Sequence, residues 1–249
     1  MYHIVQENCF RKENYDNLIL SLKKLNVDYE IVKVLPFTDE IKIKTTRKDI
    51  FVWGAIKLSK IAKKENWYPG SLLNDNHNFE IYKEHYGSNL FNYNSKIVQL
   101  DIDNYKLPDG FFARPVSDNK AFTGKIFNRE DFISLIEQDI FPKNTRIQIS
   151  GIKKIYKEIR FWVVNGKIIT ASQYRLGNKT TYVEYFDREG FDFCNKMIQK
   201  FQLADAFVMD LCLGEDGWKI MECGCINSAG FYRANLQKLI IAIEEHFQT

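Results

Sequence analysis

The sequence predicts an α+β chain in two unequal parts, and three observations carry that prediction. Over roughly the first hundred residues, short apolar runs alternate with amphipathic stretches in the order β-α-β-β-α, the pattern of a small open α/β lobe. Beyond it the pattern changes to strand pairs joined by tight turns and closes on an amphipathic helix. The composition agrees: 45% of the 249 residues are hydrophobic, with 19 Phe and 13 Tyr, enough for one sizeable core or a core plus a smaller lobe. With 13 Gly and 5 Pro, no long flexible linker is expected.

The elements follow in order. His3 to Gln6 is a short apolar strand. Leu18, Leu22 and Leu25 recur at helical spacing in the next stretch, and Asn14 stands where a cap belongs. YEIVKVLP reads as a strand ended by Pro36, and DIFVWG as a buried strand whose Gly54 turn leads into the helix AIKLSKIAKKE. Residues 66–96, rich in Asn, Tyr and His, show no regular pattern, and His77 and His85 are expected at the surface. FFARP is a strand ended by Pro115. A polar loop with Ser117, Asp118, Asn119, Lys120 and Thr123 runs to Gly124, and Lys125-Ile126-Phe127 resumes a strand. KNTRIQIS is another strand. EIRFWVV and KIITASQYR flank Asn165-Gly166, a strong hairpin signal because a type I′ turn needs positive φ at both positions. Phe191, Cys194, Ile198 and Phe201 mark one helix face, the strands AFVMDLCLG and WKIMECG follow, and Leu236, Leu239, Ile240 and Ile243 mark the final helix.

The net charge of +3 is mild and spread along the chain. It permits an anionic substrate, and nucleic acid is not expected as a partner. Lys153, Lys154 and Lys157 cluster, by default on a solvated face. Five cysteines without a CxxC pair argue against a secreted disulfide scaffold. The N-terminal stretch lacks a signal-peptide pattern, and no run approaches the roughly eighteen apolar residues that span a bilayer. A soluble cytoplasmic protein, with no membrane partner, is expected.

Hairpin register decides which side chains meet. In the Asn-Gly hairpin, Arg160 is expected opposite Ala171 and Glu158 opposite Gln173. Glu158, Arg160, Gln173 and Arg175 then share one face, a strip able to grip phosphate oxygens and equally readable as a solvent-facing strip. In the second hairpin, a three-residue loop ending at Gly217 sets Asp210 opposite Glu222 in otherwise apolar strands. Opposed carboxylates destabilise a sheet unless one holds a proton or a hard cation bridges them. Mg²⁺ uses one or two carboxylates and completes its shell with phosphates and water. Asn227 adds an oxygen at the strand's exit. A one-residue slip would instead place the two acids on opposite faces.

Taken in order, these pieces resemble the ATP-grasp superfamily, and ARPVSDNKAFTG and ECGCINSAGFY look like an arginine-variant clade common in bacteriophages and bacteria, in which Arg stands where most relatives have the first ATP-binding Lys. The resemblance covers roughly residues 97–249, and residues 1–96 correspond to the preceding α/β lobe. It implies an ATP-grasp fold and an ATP-dependent ligase that joins a small-molecule or peptide carboxylate to an amine through an acyl phosphate. ATP and Mg²⁺ are the implied cofactors. Arg114, Lys120, Thr123, Gly124, the hinge strand Gln148-Ile149-Ser150 and Glu158 would contact the nucleotide, Arg160 and Arg175 would act in catalysis, and Asp210, Glu222 and Asn227 would hold metal. One departure is that the family's second polar metal position falls on Gly224, for which Asn227 is the substitute. Two other readings stand beside this one: a nucleotide-binding protein without ligase chemistry, and a metal-dependent phosphoesterase. The substrates and the oligomeric state are left open.

Overall fold

The computed structural model describes residues 1–35, 37–38, 40–99, 107–116, 122–138, 145–185 and 187–248. Three sheets build it. The first has β1 (Tyr2–Gln6), β2 (Tyr29–Val32), β3 (Asp49–Trp53) and β4 (Tyr68–Gly70) in the order β2-β1-β3-β4, all parallel. Parallel strands need crossovers, and the helices α1 (Lys12–Lys24) and α2 (Ile56–Lys64) supply two. Ile4, Ile50 and Val52 pack on Leu58 and Ile61, while Val5, Phe51 and Trp53 pack on Leu18 and Leu22. The alternation of side chains along each strand thus feeds two separate cores. Asn14 does not cap α1, which begins earlier at Lys12 after Arg11 without a side-chain cap. The strand expected to run to Pro36 ends at Val32.

Residues 66–96 hold more order than their composition suggests: β4, α3 (Phe79–Tyr86) and β5 (Lys96–Gln99). Helix α3 is short, but Asn78 caps it at the Glu80 N–H, and Phe79, Tyr82 and Tyr86 bury one stripe. Aromatic bulk replaces length there, which hides the helix from periodicity.

The second sheet is antiparallel in the order β5-β8-β6-β7, with β6 (Gly110–Pro115), β7 (Lys125–Asn128) and β8 (Arg146–Ser150). Phe111, Ala113, Phe127 and Ile147 close over Phe132 of α4 (Arg129–Glu137). Phe112 and Arg114 alternate to the opposite face.

The third sheet is antiparallel in the order β11-β10-β9-β12-β13, with β9 (Ile155–Val164), β10 (Lys167–Leu176), β11 (Lys179–Glu184), β12 (Ala206–Gly214) and β13 (Gly217–Cys225). The half-polar KTTYVE of β11 gave no strand signal. Ile159, Phe161, Met209 and Leu211 face α5 (Arg188–Lys200) through Cys194, Met197 and Ile198. On the opposite face Trp162, Val164 and Val208 meet Leu239, Ile240 and Ile243 of α6 (Leu236–Phe247) together with the first lobe. That second face is apolar only along part of its length. Glu158, Arg160, Asp210 and Glu222 continue it, and there it opens toward the second sheet. No disulfide joins any of the five cysteines. No helix among the described residues is long and apolar enough to cross a membrane.

Candidate active site

The cleft between the second and third sheets has a volume of about 750 Å³. Its floor is one row across three adjacent strands: Arg160 on β9 pairs with Asp210 on β12, which pairs with Glu222 on β13. The Asp210–Glu222 pairing is the one expected, but it is reached differently. Near the turn the pairs are Gly214–Gly217 and Leu213–Trp218, one residue tighter than expected. A bulge at Met221 then adds the missing residue before Asp210 meets Glu222. Gly217 takes φ +82°, as the turn demands.

The carboxylates are neutralised by a means the sequence did not suggest, because each has an arginine. Arg160 grips Asp210 bidentately, Nε to Oδ1 and Nη2 to Oδ2, both at 2.7 Å. Arg114 pairs with Glu222. The first pair is almost sealed from water, whereas the Glu222 side chain is 36% exposed. Burial pushes the Asp210 carboxyl up, Arg160 pulls it back, and Glu222 and Glu158 push it further up. Burial also works against the Arg160 cation, but Asp210 outweighs it and holds the guanidinium charged. Arg160 further donates Nη1 to the Gly230 carbonyl at 3.2 Å and lies 5.0 Å from the Tyr232 ring centroid.

The Asn-Gly hairpin turns as expected, with Asn165 at φ 48° and Gly166 at φ 69°. Its register then departs. One shift between Ile168 and Thr170 sets Arg160 opposite Ser172, and another between Gln173 and Arg175 sets Glu158 opposite Arg175. Gln173 pairs with Ile159 instead, off the cleft face, and hydrogen-bonds Thr181 at 3.1 Å. The second bulge brings both Tyr174 and Arg175 to the cleft: the Tyr174 hydroxyl lies 3.5 Å from Asp210, and Arg175 donates to Glu158 at 2.7 Å. Turn chemistry announces the turn, but bulges farther along the strands leave no local mark.

Of the other expected residues, Arg114, Thr123, Gly124, Glu158 and Arg175 line the cleft. A Cβ on Gly124 would sit 2.9 Å from Arg114 Cβ and 3.1 Å from Phe112, so a side chain there would crowd both cleft-facing residues of β6. Lys120, with Ser117, Asp118 and Asn119, lies outside the described residues. Gln148, Ile149 and Ser150 need correction as the hinge. They belong to a central strand whose main chain is paired with β5 on one side and β6 on the other, so it has no groups to offer a ligand. Their side chains anchor a neighbouring wall: Gln148 accepts from Ser95 at 3.1 Å and Ser150 donates to Asn92 at 3.2 Å. The segment that faces the cleft is the next one, residues 151–155. Lys153 and Lys154, read as a solvated cluster, are therefore cleft residues, and Lys153 donates to the Phe91 carbonyl and to Asn94. The position of Lys153 and Lys154 between two strands of different sheets was the available signal.

Asn227 also needs correction. It is fully buried and its amide is spent elsewhere: Nδ2 donates to the Val52 carbonyl at 2.7 Å, and Oδ1 accepts from Leu72 N at 2.8 Å and Cys225 Sγ at 3.1 Å. It staples the first lobe to the end of β13 and brings no oxygen to the acid pair. Among the described residues no group of three His, Cys, Asp and Glu side chains is placed to surround a cation. The donor set that remains, Asp210 and Glu222, suits a hard cation that fills its shell with phosphate and water. Each Asp210 oxygen accepts one N–H from Arg160, which leaves it a lone pair.

The family model described as an ATP-grasp domain, family 3 of the arginine-variant clade, matches residues 44–243. The chain belongs to this ATP-grasp family. Solved structures share the ATP-grasp fold. D-cycloserine synthetase DcsG is similar with a TM-score of 0.67 at 9% identity over 99% of both chains. D-alanine–D-alanine ligase from Bacillus anthracis follows at TM-score 0.61 and 14% identity, over 99% of this chain and 93% of that one. The ATP-grasp ligase PsnB, solved with a minimal precursor, Mg and ADP, has TM-score 0.56 and 10% identity over 100% and 98%. Comparison with curated proteins gave no match.

Proposed function

We propose that this ATP-grasp chain is an ATP-dependent ligase that joins a carboxylate to an amine through an acyl phosphate. The row Arg160–Asp210–Glu222–Arg114 along one cleft carries the reading, because it sets fixed cations beside a carboxylate pair where polyphosphate charge needs both. Phe112, Phe122 and Ile152 offer an apolar wall to the base, and Arg114, Arg175 and Lys153 offer cations to the phosphates. Asp210 and Glu222 would hold Mg²⁺, which when bound neutralises charge on the phosphates. Phosphates that draw Arg114 to themselves would release Glu222 for that task.

The substrate carboxylate oxygen attacks the γ-phosphorus, and the bond to the β-phosphate oxygen breaks to release ADP. The amine nitrogen then attacks the acyl carbon, the C–O bond to phosphate breaks, and the amine loses a proton. Arg160 is placed to stabilise the transferring phosphoryl group. Three of its five N–H donors go to Asp210 and Gly230, which leaves two, held rigid before the reaction starts. Substrates of the small-molecule or peptide class, in the cytoplasm where ATP is supplied, accord with this reading.

The test is release of ADP and phosphate on addition of candidate carboxylates and amines, with hydroxylamine to trap the acyl phosphate as a hydroxamate. Carboxylate-dependent ADP release with trapped hydroxamate is expected. Nucleotide binding without either would favour a non-ligating role, a reading supported by Gly224 and by the engagement of Asn227 elsewhere. Metal-dependent phosphoester cleavage without ATP would overturn the proposal in favour of a phosphoesterase.

A further inference from the structure

His77 was expected at the surface, yet it is only 4% exposed and sits beside the cleft. Its tautomer follows from its neighbours. Asn74 donates Nδ2 to the Leu203 carbonyl at 3.1 Å, so its side-chain oxygen is the atom turned to the ring, 2.9 Å from Nδ1. The Asn74 carbonyl lies 3.2 Å from the same nitrogen. These two acceptors outweigh the Asn74 N–H that also reaches Nδ1 at 3.2 Å, so Nδ1 carries the proton. Burial keeps the ring neutral, with its pKa pushed down to about 4 despite the Asn74 and Gly224 main-chain groups beside it. Nε2 is then a buried lone pair with no hydrogen-bond partner among the described residues.

His77, Arg114 and Glu222 line one cavity of about 10 Å³, separate from the main cleft. That is close to the least volume one water requires, and a buried water needs two to four polar partners. These three side chains are complementary to it. A water can donate one hydrogen to Nε2 and one to the Glu222 carboxylate, and accept from the Arg114 guanidinium. The other walls are mostly hydrophobic, which isolates the water and strengthens each bond.

We propose that His77 is a positioning residue whose Nε2 holds a single buried water that orients the Arg114–Glu222 pair. The orientation of Arg114 and Glu222 is local geometry, and its consequence for nucleotide and cation rests on the ligase reading above. A partner of this kind behind a metal or phosphate ligand contributes about tenfold or more to affinity.

Two measurements on the full chain test it. In ¹⁵N spectra of histidine-labelled protein, His77 should show the neutral Nδ1–H tautomer, and its Nε2 resonance should move in Glu222→Leu. A Nε2–H tautomer, or no response to Glu222→Leu, overturns the proposal without reference to ATP. Binding of a non-hydrolysable ATP analogue with Mn²⁺ is the second measurement, by calorimetry on His77→Leu and His77→Gln. Leu removes the acceptor, whereas Gln Oε1 can replace it. His77→Leu should weaken binding about tenfold and His77→Gln should stay within about threefold of the parent, at similar melting temperatures. Parent-like binding in His77→Leu, or equal losses in both variants that follow their melting temperatures, overturns the proposal. A parent that binds no analogue while the NMR result holds would count against the ligase reading and leave the positioning geometry standing.

Discussion

Asp210 and Glu222 face each other on neighbouring strands, yet neutralising them one at a time should have very different effects. Asp210→Asn keeps the shape and removes the charge. Arg160 then remains buried with a neutral partner, and the Asn amide turns an N–H toward one of its donors. Breaking a buried ion pair from one side costs about 3–5 kcal/mol. Relief of the repulsion from Glu222 and Glu158 places the expected cost at the lower end. For a chain of this length about 1 kcal/mol corresponds to roughly 2–4 °C, so the melting temperature should fall by roughly 6–12 °C. Glu222→Gln acts on a side chain that is 36% exposed, where solvent screens the pair with Arg114. It should cost no more than about 1 kcal/mol, hence about 4 °C or less. Replacing both partners by apolar residues, Arg160→Met with Asp210→Leu, should recover most of the loss from Asp210→Asn, since no unpaired charge is left behind. Urea unfolding of the variants measures this, and ADP release checks that both single variants lose metal-dependent turnover. Equal and mild losses for Asp210→Asn and Glu222→Gln would refute the reasoning, as would a double variant no more stable than Asp210→Asn.

Three further outcomes are expected. Asn227→Ala strips partners from the Val52 carbonyl and the Leu72 N–H, so it should destabilise the chain by roughly 2–4 kcal/mol in urea while Mn²⁺ affinity stays unchanged; a selective loss of Mn²⁺ would restore Asn227 as a ligand. Gly217→Ala meets no atom within 4 Å, so its cost is conformational alone, about 1 kcal/mol from the positive φ, and a melting temperature identical to the parent would contradict the turn assignment. Glu244 is pushed up by burial, but its hydrogen bond with His3 at 2.6 Å and the charges beside it pull its pKa from 4.5 down to about 2. Its contribution is therefore fully present above about pH 4.5 and lost as pH falls toward about 2, so Glu244→Gln should flatten the parent's stability profile across that window. Parallel profiles for parent and variant would count against the assignment.

How much of this was legible in advance depends on the range of the interaction concerned. Periodicity and turn chemistry act between near neighbours, and they announced α5, α6, the Asn165-Gly166 turn and the meeting of Asp210 with Glu222. Even there the bulge at Met221 completed a register that the turn alone did not set. Bulges at Ile169 and Tyr174, which exchange Gln173 for Tyr174 on the cleft face, carry no turn residue to betray them. The counter-ions of the acid pair come from strands 50 and 108 positions away in the chain. The hinge moved from 148–150 to 151–155 because β8 is flanked on both sides, a fact about its neighbours and not about its own residues. Asn227 and His77 are polar side chains of ordinary appearance, and only burial beside particular partners makes one a staple between lobes and the other a lone pair facing a cavity. The sequence by itself determined the α+β order, the hairpins and the opposed carboxylates. The tertiary structure decided what neutralises those carboxylates and which polar groups reach the cleft, because charge and hydrogen-bond partners are set by proximity in space.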